Sequence, residues 1–273
     1  MAALGGIEVT SLRRELKGAY TIWYRDVLRF VRDRARVVAS LAQPLLFLFV
    51  LGYGLGSSIP GLAAGAVSFV QFVFPGILGM TVLFTAIFSA ISIVWDREFG
   101  FLKEVMVAPV SRTSVALGKV AGGSTVAMLQ ALIILLLASV IGIWLAWDQY
   151  LLLLGLMLLL AAVMTSFGIL VAVRQRTIES FQVIMSFLLL PMFFLSRALF
   201  PLVSAPSWMK WLATIDPVTY GVDALRQVAL GYTVPPELLQ TLILHPLIVD
   251  VAILAAFGVV FLVPAVWLFG RQD

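Results

Sequence analysis

The residues best suited to polar chemistry lie together in one stretch, Trp95–Lys119, which separates two long apolar runs. The stretch carries four cations and three acids: Arg97, Lys103, Arg112, Lys119, Asp96, Glu98 and Glu104. Because such a charged segment cannot lie in hydrocarbon, it must face water. Pro109 stops one short helix, and Ser111, Thr113 or Ser114 can cap the next. The pattern predicts a short amphipathic helix that is presented to another protein.

Catalytic and metal-binding patterns are missing from the sequence. The chain has no cysteine, which excludes thiol catalysis and thiolate metal sites. The only histidine, His245, stands before Pro246 without companion ligands, so we interpret it as an interfacial residue. The fragment Gly118-Lys119 lacks the earlier glycine and the hydroxyl of a nucleotide-binding loop. We therefore expect no enzyme activity, no metal and no cofactor bound by this chain.

The composition is that of a membrane protein: 62% of the residues are hydrophobic, 12% are charged, and the mean hydropathy is +1.09. Long separate apolar runs favour helices over the short alternating strands of a barrel. The net charge is +4, but the cations lie beside apolar runs. This placement indicates contact with membrane lipids rather than with nucleic acid.

Apolar runs of about 20 residues are long enough to cross a bilayer. The chain has six such runs, at about 37–56, 67–94, 120–143, 147–173, 179–196 and 247–269. We predict an all-α polytopic membrane domain over residues 37–273, with six transmembrane helices. The second span is long, and we expect it to bend near Pro75 and Gly76. Ionisable groups are nearly absent from the spans, which disfavours an ion-coupled carrier or an ion-selective channel.

Two further elements flank the spans. Residues 1–10 are expected to be a disordered lead, and a helical apolar period with a basic face runs from Leu12 to Phe30. This predicts an amphipathic helix in the headgroup region; packing on a soluble partner is the alternative. Residues 197–245 are predicted to form two short re-entrant helices that cap the outer leaflet, because neither half can span the membrane.

The distribution of cations predicts the orientation. If the N-terminus is cytoplasmic, all of the 18 Lys and Arg residues except Arg197, Lys210 and Arg226 fall on the cytoplasmic side. The positive-inside rule therefore places both termini in the cytoplasm of a cell-membrane protein.

Several short motifs then resemble one known family. Residues 71–80 read QFVFPGILGM, residues 97–103 read REFGFLK, and residues 108–112 read APVSR. Residues 200–208 contain Phe-Pro and Pro-x-Trp, and residues 216–226 read DPVTYGVDALR. Together, and in this order, they resemble the permease subunits of ABC-2 type exporters, which include the daunorubicin-resistance permeases. Lys103 departs from the residue often found in related loops, which affects the detailed contact with a partner.

The resemblance implies that transport and ATP hydrolysis are carried out by different subunits. Two copies of a separate ABC ATPase would bind ATP and Mg, and a second permease copy would form a homodimer. Efflux of drug-like hydrophobic or amphiphilic compounds, and so antibiotic resistance, is the function it implies. The alternatives are export of a cell-envelope lipid or lipid-linked glycan by the same architecture, and an ATP-independent channel or scaffold.

Candidate site residues follow from these patterns. ATPase coupling is assigned to Arg97, Glu98, Gly100, Phe101, Leu102, Val105, Pro109, Ser111 and Arg112. Solvated loop charges, packing on the chain's own helices, and simple helix capping are the alternatives for this set. The substrate path is assigned to Phe74, Phe88, Met192, Phe194, Arg197 and Phe200, with lipid-facing side chains as the alternative. Arg197 could contact an anionic headgroup or pair with Asp216 or Asp223, and Gln43 is predicted to hydrogen-bond across the dimer seam.

Overall fold

The computed structural model describes residues 2–51, 54, 68–99, 111–139, 142–199 and 206–270. It is 85% helical, and the described residues contain no strand. The predicted class, an all-α membrane protein, is therefore confirmed.

Helix α1 (Ala2–Arg32) lies along the outside of the bundle and is followed by α2 (Arg34–Leu46) and a π-helical turn (Phe47–Leu51). Residues 1–10 were expected to be disordered, but the helix begins at Ala2, since extending a formed helix adds one hydrogen bond for each residue fixed. Part of the predicted apolar stripe remains uncovered, with Leu12 and Leu16 both more than 60% exposed. An interfacial helix leaves such a stripe for lipid.

Helices α3 (Phe69–Ser89) and α4 (Ile91–Glu98) form the second predicted span. Ser68 and Gln71 make a reciprocal capping box at its start. The helix continues through Pro75, and its interruption falls at Ala90. The Ala90 N–H donates to the carbonyl of Ile87 three residues back, a local tightening of the helix.

Three long helices follow: α5 (Arg112–Leu136), α6 (Trp147–Ala172) and α7 (Ile178–Leu195). Helix α5 starts well before the predicted span at residue 120. Its N-cap is Ser111, whose side chain accepts from the Ser114 N–H, as one of the predicted starts requires.

The last part of the chain contains α8 (Ser207–Ile215), α9 (Pro217–Leu230), α10 (Pro236–Leu242) and α11 (Leu247–Gly270). The two predicted short helices are present as α8 and α9, and α10 is an additional one. Asp216 separates them and caps α9 by accepting from the Val218 N–H at 3.0 Å. Helix α9 is almost completely buried, including its charged residues Asp223 and Arg226.

The core is built around α3, which packs against α5, α6 and α9. Helix α6 also packs against α11, and α1 lies along α5. A Cβ added to Gly118 would lie 2.7 Å from the Ala19 carbonyl oxygen, so glycine permits the close approach of α1 and α5.

Five described helical segments are long and apolar enough to cross a membrane: Phe69–Glu98, Arg112–Leu136, Trp147–Ala172, Ile178–Leu195 and Pro236–Phe269. The first predicted span, 37–56, corresponds to a shorter apolar helix, Val37–Val50. Residues 52, 53 and 55–67 lie outside the described residues. The amphipathic helix α1 and the short helices α8 and α9 therefore pack with a set of longer apolar helices.

Candidate functional site

Four charged residues from three helices meet near the end of α4, and we name them the basal cluster: Arg25, Asp26, Asp96 and Lys119. The Lys119 Nζ lies 3.0 Å from Asp96 Oδ2 and 3.4 Å from Asp26 Oδ2. The Arg25 Nη2 approaches the same Asp96 oxygen at 3.0 Å. The Lys119 side chain is only 4% exposed, whereas Arg25 is 45% exposed. The cluster thus joins α1, α4 and α5 through one shared carboxylate.

Arg97 and Glu98 contact the turn that precedes α7. The Arg97 Nη1 donates to the Gln175 carbonyl at 2.6 Å, and Glu98 accepts from the Ile178 N–H at 2.9 Å. Glu98 thereby places a carboxylate at the N-terminus of α7, where the helix dipole favours negative charge. Both predicted coupling residues therefore hold two spans together within this chain.

The far end of the polar stretch is attached to α1. Glu15 accepts a hydrogen bond from the Ser111 N–H at 2.8 Å. Hydrogen bonds from Ser111 and Ser114 lower the pKa of the Glu15 carboxyl. Arg112 begins α5 directly after this contact. The remaining predicted coupling residues, Gly100, Phe101, Leu102, Val105 and Pro109, lie outside the described residues.

The predicted substrate-path residues do not share one surface. Phe74 is fully buried in the core, Phe88 and Met192 are half-buried, and Phe194 is 42% exposed. Phe200 lies outside the described residues.

Gln43 is exposed on α2 and lines a cavity of about 180 Å³ together with Phe88 and Gln130. In that cavity the Gln130 Oε1 accepts from Thr85 at 2.9 Å. The structure therefore brings the predicted seam residue and one predicted path residue to the same groove.

A second group of charges, which we name the cap cluster, is buried where α9 meets the start of α11: Arg197, Asp223, Arg226 and Asp250. The Arg226 Nη2 donates to the Arg197 carbonyl at 2.7 Å, and its guanidinium lies 4.4 Å from the centre of the Phe72 ring. Asp223 Oδ2 accepts from the Leu244 N–H at 2.8 Å. Among the described residues, no carboxylate lies within 4 Å of either guanidinium, so the expected pair of Arg197 with Asp216 or Asp223 is not formed.

Burial shifts the ionisation of this cluster and of Asp216, the N-cap of α9. It raises the pKa of Asp216 to about 8, despite the Val218 N–H bond, which lowers it. Burial also lowers the pKa of Arg226 to about 10 and that of Arg197, both against the attraction of Asp223. The sequence identified Asp223 and Arg226 only as part of a family motif. Their burial could not be predicted, because it depends on how α9 packs between α3, α6 and α11.

One grouping has the donor types of a metal site. Asp223, His245 and Asp250 each offer one ligand atom, and these atoms lie within 4.8 Å of one another. The Leu244 N–H already donates to Asp223 at 2.8 Å, and the Gln227 side chain donates to Asp250 at 2.8 Å, so the two carboxylates have donors from the protein itself. We do not assign a metal to this grouping.

The helices and clusters define a multi-pass membrane protein that has ion-paired and capped contacts at one end and a buried charge cluster at the other. Residues 18–230 match the model of the family described as ABC-2 type transporter. The chain belongs to this family, and the resemblance in its motifs is confirmed.

Relatives in three groups of organisms bear this out. The chain is 31% identical to the putative transport permease ycf38 of Cyanophora paradoxa, over 74% of this chain and 70% of that protein. It is 26% identical to nodulation protein J of Rhizobium leguminosarum bv. trifolii, over 85% and 88% of the two chains. The inner membrane transport permease YadH of Escherichia coli (strain K12) is 26% identical, over 77% and 82%. The protein is therefore a membrane transport permease, and its apolar helices indicate a multi-pass membrane protein.

Proposed function

We propose that this chain is the permease subunit of an ATP-driven exporter of hydrophobic or amphiphilic compounds. Two copies of a separate ATPase would bind ATP and Mg and would dock on the polar stretch, and a second permease copy would complete a homodimer with both termini in the cytoplasm. The family itself implies an ABC transporter with an ATPase partner.

The main support for this proposal is that both flanks of the polar stretch are fixed to other helices. Before residue 100, Asp96 is ion-paired with Lys119, and Glu98 is bonded to the start of α7. After residue 110, Ser111 is bonded to Glu15 on α1. A force applied between these anchors would reach α1, α4, α5 and α7 together. This is the mechanical connection that an external motor requires.

Co-purification tests the proposal. The tagged chain is isolated in mild detergent from the cells in which it naturally occurs, and the eluate is assayed for ATP hydrolysis. We expect an ATPase to be recovered, and Glu98→Ala together with Phe101→Ala to reduce its recovery or its coupled activity. The exposed acid Glu237, at the start of α10, supplies the matched control Glu237→Ala. If no ATPase is recovered, or if solutes pass through the purified chain alone, the channel or scaffold alternative replaces the exporter.

The cargo could instead be a cell-envelope lipid or lipid-linked glycan. The buried arginines of the cap cluster favour this second cargo class, because an anionic headgroup would satisfy charges that an apolar drug would not.

A further inference from the structure

A cavity of about 390 Å³ lies between α8, α9 and the turn before α11, and we name it the Arg197 pocket. This volume is within the range of small-molecule sites. The described polar residues that line it are basic or hydroxyl-bearing: Arg197, Lys210, Thr214, Thr219, Tyr220, Thr241 and His245. No carboxylate is among the described lining residues, although Asp223 and Asp250 lie behind them. The two cations Arg197 and Lys210 suit this otherwise largely apolar lining to an anionic amphiphile. The Thr214, Tyr220 and Thr241 hydroxyls already donate to carbonyls of the chain.

Arg197 contributes buried donors that lack partners. It is 5% exposed, and its Nε and Nη1 have no hydrogen-bond partner. Such groups are rare in folded proteins, since an unsatisfied buried donor loses its hydration without compensation. Arg197 also has a φ of 62°, a conformation that few residues other than glycine adopt. The structure thus holds Arg197 beside the cavity at a cost in both backbone strain and hydrogen bonding, although Nε and Nη1 themselves are out of contact with solvent.

The pocket lies at the depth of lipid headgroups. Helix α8, which supplies Lys210 and Thr214 to the lining, also carries Trp208 and Trp211, which are 63% and 64% exposed. Exposed tryptophans on a membrane protein mark the interface between headgroups and hydrocarbon. Trp147 is 87% exposed at the start of α6, and the next residue, Asp148, accepts from Tyr232 of the same end of the molecule at 2.6 Å. Phosphate groups are the anions found at this depth.

We propose that the Arg197 pocket binds the phosphate headgroup of an amphiphile. The headgroup belongs either to a resident phospholipid or to the cargo; the second source rests on the proposed export function, whereas the first does not. Arg197 supplies the buried charge, and Lys210 supplies a second charge at the exposed rim. Charge-assisted hydrogen bonds of this kind are the strong ones in protein–phosphate contacts.

Native mass spectrometry of the purified chain provides the first arm of the test. Retained phospholipid on the wild type, and its loss from Lys210→Glu, identifies a resident lipid. In the second arm, the delipidated chain is titrated with dihexanoyl phosphatidylglycerol, a water-soluble phosphate amphiphile. Binding of the probe without a retained lipid identifies the cargo as the source.

In either arm we expect Lys210→Glu and Arg197→Gln to weaken binding at least tenfold, and added salt to weaken it further. Lys210 is exposed, so its variant tests the proposal even if Arg197→Gln fails to fold. Arg174→Gln, at an exposed arginine after α6, is the matched control and should bind like the wild type. Wild-type affinity in folded Lys210→Glu, or no binding in both arms, would overturn the proposal. Because no ATPase takes part, failure to recover an ATPase leaves this result unaffected.

Discussion

The basal cluster and the cap cluster bury charges in opposite ways. In the basal cluster, Lys119 is within 3.4 Å of two carboxylates, and one of them is shared with the half-exposed Arg25. In the cap cluster, Arg197 and Arg226 are equally buried, but no carboxylate of the described chain reaches either guanidinium within 4 Å. A closely paired cluster fixes helices to one another, whereas a loosely paired one keeps donors available.

This difference matches the roles proposed for the two ends. The end with the polar stretch must transmit movement, which requires helices that are joined firmly. The cap must accept and release a ligand, which requires polar groups that are positioned but not satisfied. Both clusters contain buried charges, unlike the apolar bundle that lies between them.

The largest effect is expected from Arg226→Met. Arg226 is fully buried, donates to the Arg197 carbonyl and stacks on Phe72, and its loss leaves Asp223 less compensated. The lost charge-assisted hydrogen bond is worth about 1.5–3 kcal/mol and the buried contact with the Phe72 ring about 2 kcal/mol, so we expect a loss of about 4 kcal/mol. Thermal unfolding in detergent measures it.

A double variant separates the charge from the packing. If Asp223 is the counter-charge, Arg226→Met with Asp223→Asn should regain part of the lost stability. Equal stability of wild type and Arg226→Met would show that the cap cluster does not depend on this charge.

Next in size is the basal cluster, probed by Lys119→Met. Here we expect a loss of about 3 kcal/mol, because Asp96 remains buried but keeps Arg25 as a partner. The matched variant Arg25→Met removes a cation that is 45% exposed and should cost less than about 1 kcal/mol. Chemical unfolding of the two variants side by side measures the ratio. A larger loss for Arg25→Met would mean that burial does not determine which cation holds α1, α4 and α5 together.

Features that depend on local patterns could be predicted from the sequence, whereas contacts between distant helices could not. Span positions and the Ser111 cap depend on local patterns, and Trp147–Ala172 and Ile178–Leu195 lie within a residue or two of their predictions. The burial of Lys119 was missed, because it lies in a polar stretch and its partner Asp26 comes from a distant helix. The break at Ala90 was also missed, since Pro75 carried the stronger local signal.

The smallest effect concerns the exposed contact between Glu15 and Ser111. Hydrogen bonds from Ser111 and Ser114 lower the pKa of the Glu15 carboxyl from its ordinary 4.5, so the contact is complete at neutral pH and is lost as the pH falls through the lowered value. Carbon-13 NMR of the Glu15 carboxyl should therefore titrate below 4.5 in the wild type. In Ser114→Ala, which removes one donor, the midpoint should rise, while Thr113→Ala, at an exposed neighbouring hydroxyl, should leave it unchanged. An ordinary midpoint in the wild type would mean that Glu15 does not hold Ser111, so that only the basal cluster and helix packing join this end of the polar stretch to α1.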